Sequence, residues 1–335
     1  MNPDSPRVCI IITTRNRAEH LRETLASIRD LSIPAELATE LIIVDNGSTD
    51  ATQEVCRKFR TDNIPVRYIT EPRVGQCHAR NTGIASANCE IIVFTDDDVR
   101  VSKGWVSELT SPLIAGKYDA VVGAVSIAPN LQRGWMTSKH KAFLASTEVL
   151  NMSDPPQLIG ANMAFLTRVL KVVPEFDYEL GPGAKGFGDE TLFSWQLKRA
   201  GFRLGGCAAA GVEHHFDRSR LLRRHLLATS VRMGQTAVYL DYHWRHITPK
   251  GELRRWMRAE LKLLIYRAKR GHQELDSEGC DEVEMKLTTN ASQHRQWRHE
   301  RRRARNYDQY GLVRIDRKSS KNMGKRVVAN FGSNG

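Results

Sequence analysis

Ile91-Ile92-Val93-Phe94-Thr95 runs straight into Asp96-Asp97-Asp98, and three carboxylates at the end of an apolar run are the residues best placed to do chemistry. Four apolar residues, partly β-branched, read as a buried parallel strand ending in water. In an open α/β sheet, ligands gather outside the carboxyl ends of the strands. Crowded carboxylates repel one another: at ~5 Å and an effective dielectric near ~20, each pair costs about 3 kcal/mol. A cation offsets that repulsion, and hard carboxylate oxygens suit Mg2+ or Mn2+. Such ions keep waters and share substrate phosphates, so a nucleoside diphosphate is the natural third party. Short acidic clusters also open helices, with Asp98 or Ser102 as the cap. The triplet alone leaves both readings open.

A second carboxylate stands at a comparable place. Glu40-Leu41-Ile42-Ile43-Val44 ends at Asp45-Asn46-Gly47-Ser48. A lone Asp after a strand is commonly a turn residue. Two acid-bearing strand ends side by side would instead present Asp45 to a base or sugar, and the triplet to a metal and diphosphate.

The elements that must position these groups follow from periodicity. Val8 to Thr13 is another buried-strand pattern. After Arg15-Asn16-Arg17, Asn16 and Glu19 have capping-box spacing, and Leu21, Leu25 and Ile28 recur at helical spacing. Ser48 or Asp50 can cap a helix carrying Val55 and Phe59. Val66 to Thr70 reads as a short strand, 75–87 as a helix, Trp105, Leu109 and Leu113 as another helix, and 118–125 as a strand. Strands alternating with helices at this pitch predict a mostly parallel, doubly wound α/β sheet flanked by helices.

Composition bounds the rest. The 335 residues are 41% hydrophobic and 26% charged, ordinary globular material. The net charge of +12 is uneven, because 27 Lys and Arg against 13 Asp and Glu fall from His214 onward. Basicity therefore belongs to the tail. The six cysteines form no C-x-x-C pair and read as reduced core thiols of a cytosolic protein. The polar start leads to a strand by Val8, which leaves no room for a signal peptide, and no apolar run is long enough to span a membrane. The expectation is a cytoplasmic protein, with the inner face of the cell membrane as a peripheral site.

Four co-linear segments carry a resemblance: Ile11-Ile12-Thr13-Thr14-Arg15-Asn16-Arg17, Ile43-Val44-Asp45-Asn46-Gly47-Ser48-Thr49-Asp50, Gly75-Gln76-Cys77-His78-Ala79-Arg80-Asn81-Thr82-Gly83-Ile84, and Phe94-Thr95-Asp96-Asp97-Asp98. Their order and spacing resemble glycosyltransferase family 2, the inverting nucleotide-sugar transferases of GT-A fold, over about the first 215 residues. The resemblance implies that Thr14 and Arg15 line the nucleotide pocket and that Asp45 binds the nucleobase or ribose. It places Arg80 on the diphosphate or the Asp cluster, Asp96 near the ribose with Asp97 beside it, and Asp98 on a Mg2+ or Mn2+ ion. Arg80 reads equally as a structural ion pair holding the triplet.

Further along, Gln157 to Phe165 resembles the family's returning strand, which would bring Gly160-Ala161-Asn162 toward the donor sugar. Gly181-Pro182-Gly183-Ala184-Lys185-Gly186-Phe187-Gly188 is no P-loop, since no Lys-Ser/Thr closes it. It precedes Asp189-Glu190, where family members carry a Glu-Asp pair that supplies the catalytic base. The reversed order leaves the base between Glu190, favoured by position, and Asp189. Acids at a helix start also serve the helix dipole. In Gly211-Val212-Glu213-His214-His215, adjacent side chains project to opposite sides of a strand. At most one of His214 and His215 would face the site, as the further metal ligand that the resemblance implies or as a hydrogen-bonded or diphosphate-contacting histidine.

Residues 1–217 thus form the expected catalytic domain, 218–270 a helical extension, and 271–335 a basic, partly disordered tail. In the extension, Leu253, Trp256, Met257, Leu261 and Leu264 form one stripe beside Arg254, Arg255, Arg258 and Lys262. That pattern fits an anionic membrane surface or packing on the catalytic domain. The implied partners are a nucleoside-diphosphate sugar and a saccharide or lipid-linked acceptor, with no specific nucleic acid. Two other readings are carried: a nucleotidyltransferase of related fold, which should open with a Gly-rich loop that Thr14-Arg15-Asn16-Arg17 is not, and a nucleic-acid-binding protein using the Arg295–Arg305 block.

Overall fold

The computed structural model of the chain describes residues 5–315 apart from residues 63 and 272. Its first half alternates β1 (Arg7–Thr14), α1 (Ala18–Arg29), β2 (Ala38–Asp45), α2 (Thr52–Lys58), β3 (Val66–Thr70), α3 (Gln76–Ser86) and β4 (Ile91–Asp96). The chain continues through β5 (Val99–Val101), α4 (Trp105–Ile114), β6 (Ala120–Ile127), α5 (Ser138–Phe143), β7 (Asn162–Leu166), α6 (Asp189–Arg199) and β8 (Leu204–His214). The described residues then add α7 (Arg223–Leu240), α8 (Glu252–Arg270) and α9 (Glu282–Glu300).

All eight strands form one sheet, ordered β3-β2-β1-β4-β7-β6-β8-β5. The apolar runs explain why: β1 is sealed on both faces. Ile10 and Ile12 pack with Leu21, Leu25 and Ile28 of α1, while Cys9 and Ile11 face Cys77 and Ala79 of α3. A methyl at Gly83 would sit 2.7 Å from Ile11, so that glycine lets α3 lie against the strand. The β3-β2-β1-β4 half is parallel, with Thr14 opposite Asp45 and Thr13 opposite Asp96. This register delivers both acid-bearing strand ends to the same edge, as the sequence implied. Beyond β4 the sheet is mixed, because β7 runs antiparallel to β4 and β6, and β5 antiparallel to β8.

Local details differ from the sequence reading. Asn16 does not cap α1: at φ +52° it accepts a hydrogen bond from Thr49 N at 2.7 Å. The helix start is served from outside its own sequence, where Asp50 accepts from Ala18 N and Thr52 Oγ1 from Arg17 N. Asn162 is buried and knits strands together, taking Trp105 Nε1–H at 2.9 Å and donating to the carbonyls of Ala124 and Ala210.

The largest departure is the tail. Residues 282–300 are helical, with Met285, Ala291, Trp297, Glu284 and Glu300 buried. Composition suggested a partly disordered tail and no helix here, because the face α9 presents to the protein is largely polar. It is held by ion pairs, Arg223 and Arg267 both reaching Glu284 (2.6 and 2.8 Å). Residues 316–335, the Gly/Asn/Ser end, lie outside the described residues.

Candidate active site

A cavity of about 850 Å3 opens at the carboxyl ends of β1 and β4, between the parallel half-sheet, the glycine loop before α6, and α7. Its floor is the acidic cluster. Thr14 Oγ1 donates to Asp97 Oδ2 at 2.7 Å, and Arg17 Nη1 reaches Asp98 Oδ2 at 2.5 Å and Asp97 Oδ1 at 3.4 Å. Burial pushes the Asp97 carboxyl up to about 8 despite Arg17. Burial acts on Asp98 in the same direction, yet His214, with a proton on Nε2, and Arg17 outweigh it and hold that carboxyl well below the usual carboxylate range. One acid of the cluster is thus neutral beside an ionised one, which relieves part of the repulsion.

His214 projects toward this floor, whereas His215 turns away to Glu213 at 3.2 Å. The His214 Nδ1 lies 2.8 Å from the Leu144 carbonyl, which can only accept, so Nδ1 carries the proton. In the neutral ring the lone pair then sits on Nε2, 3.2 Å from Asp98 Oδ1. Two acceptors facing each other at this distance need a proton or a cation between them. An imidazole whose outer N–H is fixed by a carbonyl is also the usual arrangement of a metal-binding histidine. The donor set therefore fits a divalent ion held by Asp98 and His214. Among the described residues no group of three or more His, Cys, Asp or Glu is gathered as a complete cage. A two-ligand site of this kind leaves the remaining positions to diphosphate oxygens and water.

Across the cavity stand Asp189 and Glu190, the first residues of α6. Arg80, 1% exposed, reaches both: its Nη1 pairs with Asp189 Oδ2 and lies 2.9 Å from Glu190 Oε1. Its Nη2 approaches Asp96 Oδ1 at 3.8 Å, so one guanidinium links the two acid groups. Both readings of Arg80 meet here, though its short contacts go to the α6 pair and not to the triplet. Asp189 is buried, and its Oδ1 has no hydrogen-bond partner. Burial, reinforced by the neighbouring Glu190 charge, pushes Asp189 up to about 8. Burial also acts on Glu190, but the Arg80 guanidinium prevails and keeps this carboxyl below its ordinary value. Glu190 is the ionised member and the one whose side chain reaches the open space, 22% exposed against 1% for Asp189. Gly160 makes the approach possible, since a Cβ there would lie 1.9 Å from Arg80 Nη2 and 2.4 Å from Glu190 Oε1.

The remaining residues named from sequence divide. Thr14, Arg15, Arg80, Asp96, Asp97 and Asp98 line the cavity, as do Glu190, Asp189 and His214. Asp45 does not: Ser48 N and Tyr68 OH occupy its two oxygens at 2.8 Å each, and the neighbouring Asn46 lines the wall instead. Arg15 is exposed and donates to the Asn46 carbonyl at 3.2 Å. The sequence reading passed over Arg17, although it sits in the same basic run after β1. It also passed over Gln76, whose amide nitrogen lies 3.3 Å from Asp96 Oδ1, and Arg220. Arg220 lines the cavity with its guanidinium 5.1 Å from the Phe216 ring, and burial lowers its pKa against the pull of Asp98. No spacing in the sequence marked Arg220.

A parallel half-sheet with a metal-suited acid cluster at its switch point defines the GT-A class of nucleotide-sugar transferase folds. A mannosyltransferase from Pyrobaculum calidifontis, solved with GDP-Man and Mn2+, superposes with a TM-score of 0.53 at 16% identity, covering 99% of this chain and 82% of its own. Residues 9–173 match the model for Glycosyl transferase family 2. Among similar proteins, the glycosyltransferase AglE of Haloferax volcanii is 33% identical over 39% of this chain. The pre-mycofactocin glycosyltransferase of Mycobacterium tuberculosis is 30% identical over 63% of it. The matched stretch spans 43% of the length of each of these two relatives.

Proposed function

We propose that the protein is an inverting, metal-assisted glycosyltransferase that moves a sugar from a nucleoside diphosphate to an acceptor hydroxyl of a saccharide or lipid-linked glycan. The observation that carries the reading is the opposition, across one cavity, of the Asp98–His214 acceptor pair and the ionised Glu190. When bound at Asp98 and His214, a divalent ion supplies positive charge to the leaving diphosphate, and the imidazole in the donor set suits Mn2+ better than Mg2+.

The chain's own residues account for the rest. Thr14, Asn46 and Gln76 line the side of the cavity next to the parallel strand ends, where the nucleotide belongs. Glu190 takes the proton of the acceptor hydroxyl as that oxygen bonds to the anomeric carbon from the face opposite the diphosphate. The bond from the anomeric carbon to the diphosphate oxygen breaks with its electron pair on the nucleotide, and configuration inverts. Arg220 and Arg17 border the position where that negative charge grows. Arg80 holds Glu190 in place and keeps it ionised.

The test is release of nucleoside diphosphate from a panel of UDP-, GDP- and TDP-sugars with Mn2+, water serving as the acceptor. Glu190→Gln should keep donor binding and melting temperature and lose at least about a hundredfold in turnover. Unchanged turnover in this variant would remove Glu190 from the mechanism. Failure of every sugar nucleotide to bind with Mn2+ would overturn the reading itself.

A further inference from the structure

Helix α8 is divided lengthwise into three sectors. One faces α9: Trp256 stacks on His294 with ring centroids 4.9 Å apart, Leu263 is buried, and Arg267 reaches Glu284. The second sector is apolar and open. Leu253, Met257, Leu261 and Leu264 are 53%, 49%, 56% and 68% exposed, with Ile265 at its margin. Their i, i+4, i+8, i+11 spacing keeps them on one stripe. Next to it, Arg254, Arg255, Arg258, Lys262 and Lys269 form a third, exposed sector. Over its length the helix carries seven Lys and Arg against two Glu. Scattered apolar residues are normal on a surface, but a contiguous stripe of large ones marks an interaction face.

We propose that this face of α8 docks the protein on an anionic lipid bilayer, with the helix in the plane of the membrane. Charge complementarity selects the occupant. A second copy packed stripe to stripe would bring two rows of like charge together, at a cost. Residues 316–335 carry Arg317, Lys318, Lys321, Lys325 and Arg326 against a single acid, Asp316, so they match the basic sector in sign and do not complement it. A bilayer rich in anionic headgroups satisfies both sectors at once, the leucines at the acyl boundary and the arginines among the phosphates. Because α8 is already formed and braced on α9 through Trp256, Leu263 and Arg267, binding costs little ordering entropy. Among the described residues no helix is long and apolar enough to cross a membrane, so the contact is with its surface.

The experiment is co-sedimentation of the full chain with vesicles of phosphatidylcholine alone, or mixed with phosphatidylglycerol. Truncation before α8 is unsuitable, because it would also strip α9 from α7. Two exposed sets are changed instead: Leu261→Gln with Leu264→Gln, and Arg254→Glu with Arg258→Glu and Lys262→Glu. The wild type should bind phosphatidylglycerol vesicles at least about tenfold better than neutral ones, and lose binding as salt screens the charge. Each variant should bind at least about fivefold less at unchanged melting temperature. None of these residues borders the cavity, so sugar-nucleotide hydrolysis should persist, which separates this inference from the proposed activity. As a second measurement, tryptophan introduced by Leu264→Trp should be quenched by brominated lipid. Equal binding to neutral vesicles, full binding by both variants, or no quenching would overturn the proposal. So would a wild-type dimer that the leucine variant converts to monomer without affecting vesicle binding, which would assign the stripe to a second copy.

Discussion

Asp189 and Glu190 share one guanidinium yet are driven to opposite states, because only one of them is fully removed from water. The buried Asp189 is pushed from its ordinary 3.8 to about 8, while Glu190, nearer the open cavity, stays ionised against Arg80. Linkage converts this into stability. Between about pH 4 and 8 the folded protein keeps a proton on Asp189 that the unfolded chain has released. This group's contribution is therefore fully present at low pH and lost as pH rises toward 8. Asp189→Asn has no such proton to lose, so its stability relative to wild type should improve as pH rises, by at most about 1.4 kcal/mol per pH unit. Urea unfolding of both proteins at several pH values across this window measures the trend. A difference that does not change with pH would mean that Asp189 is ionised in the fold. The same variant should impair turnover less than Glu190→Gln does.

Elements were legible where hydrophobicity alone shaped them. β1, β2 and β4 are apolar runs that stop at Thr14, Asp45 and Asp96, so both their existence and their active-edge ends could be read. Periodicity fails where polar groups do the packing. α9 presents Glu284, Thr288 and Glu300 to the protein interior, a pattern that resembles a solvated segment until Arg223, Arg267 and His243 are found opposite. Asn16 misled for a related reason: its capping spacing was real, but Asp50 and Thr52, distant in sequence, took the role. Arg220 reaches the cavity only through the turn that follows β8, which no local pattern encodes. The α7–α9 crossing can be tested directly. A methyl at Gly234 would lie 2.3 Å from the Thr289 carbonyl oxygen and 2.0 Å from Ser292 Oγ. Gly234→Ala should force the helices apart and outweigh the usual helix-propensity gain, for a net loss of about 1–3 kcal/mol in denaturant unfolding. A stabilised variant would show that the two helices do not cross this closely.

Across the whole molecule, the last described residues return to the loop that leads into Asp189 and Glu190, the proposed catalytic pair. Arg314 pairs with Asp177 and Glu179, Arg303 reaches Glu179 at 2.6 Å, and Lys185 within the glycine loop lies 3.2 Å from Glu300. Tyr239 and Tyr307 donate to Asp177 Oδ2 at 2.6 and 2.8 Å. Two arginines of the basic C-terminal region, Arg303 and Arg314, are thus turned onto the acids preceding α6. The loop needs that support. Gly181, Gly183, Gly186 and Gly188 all have φ between +75° and +94°, a conformation with little preference of its own. Gly188 also lies where a Cβ would meet Thr236 of α7 at 2.4 Å, so loop and helix must keep their spacing. Arg314→Ala would leave the fully buried Asp177 carboxylate without its guanidinium, which typically costs about 3–5 kcal/mol. The expected outcome is a lower denaturation midpoint together with a loss of sugar-nucleotide hydrolysis, since Glu190 is positioned through the same loop. Arg314→Met combined with Asp177→Asn removes both charges and should recover part of the stability. If Arg314→Ala unfolds at the wild-type midpoint and turns over normally, the C-terminal segment does not brace the active site.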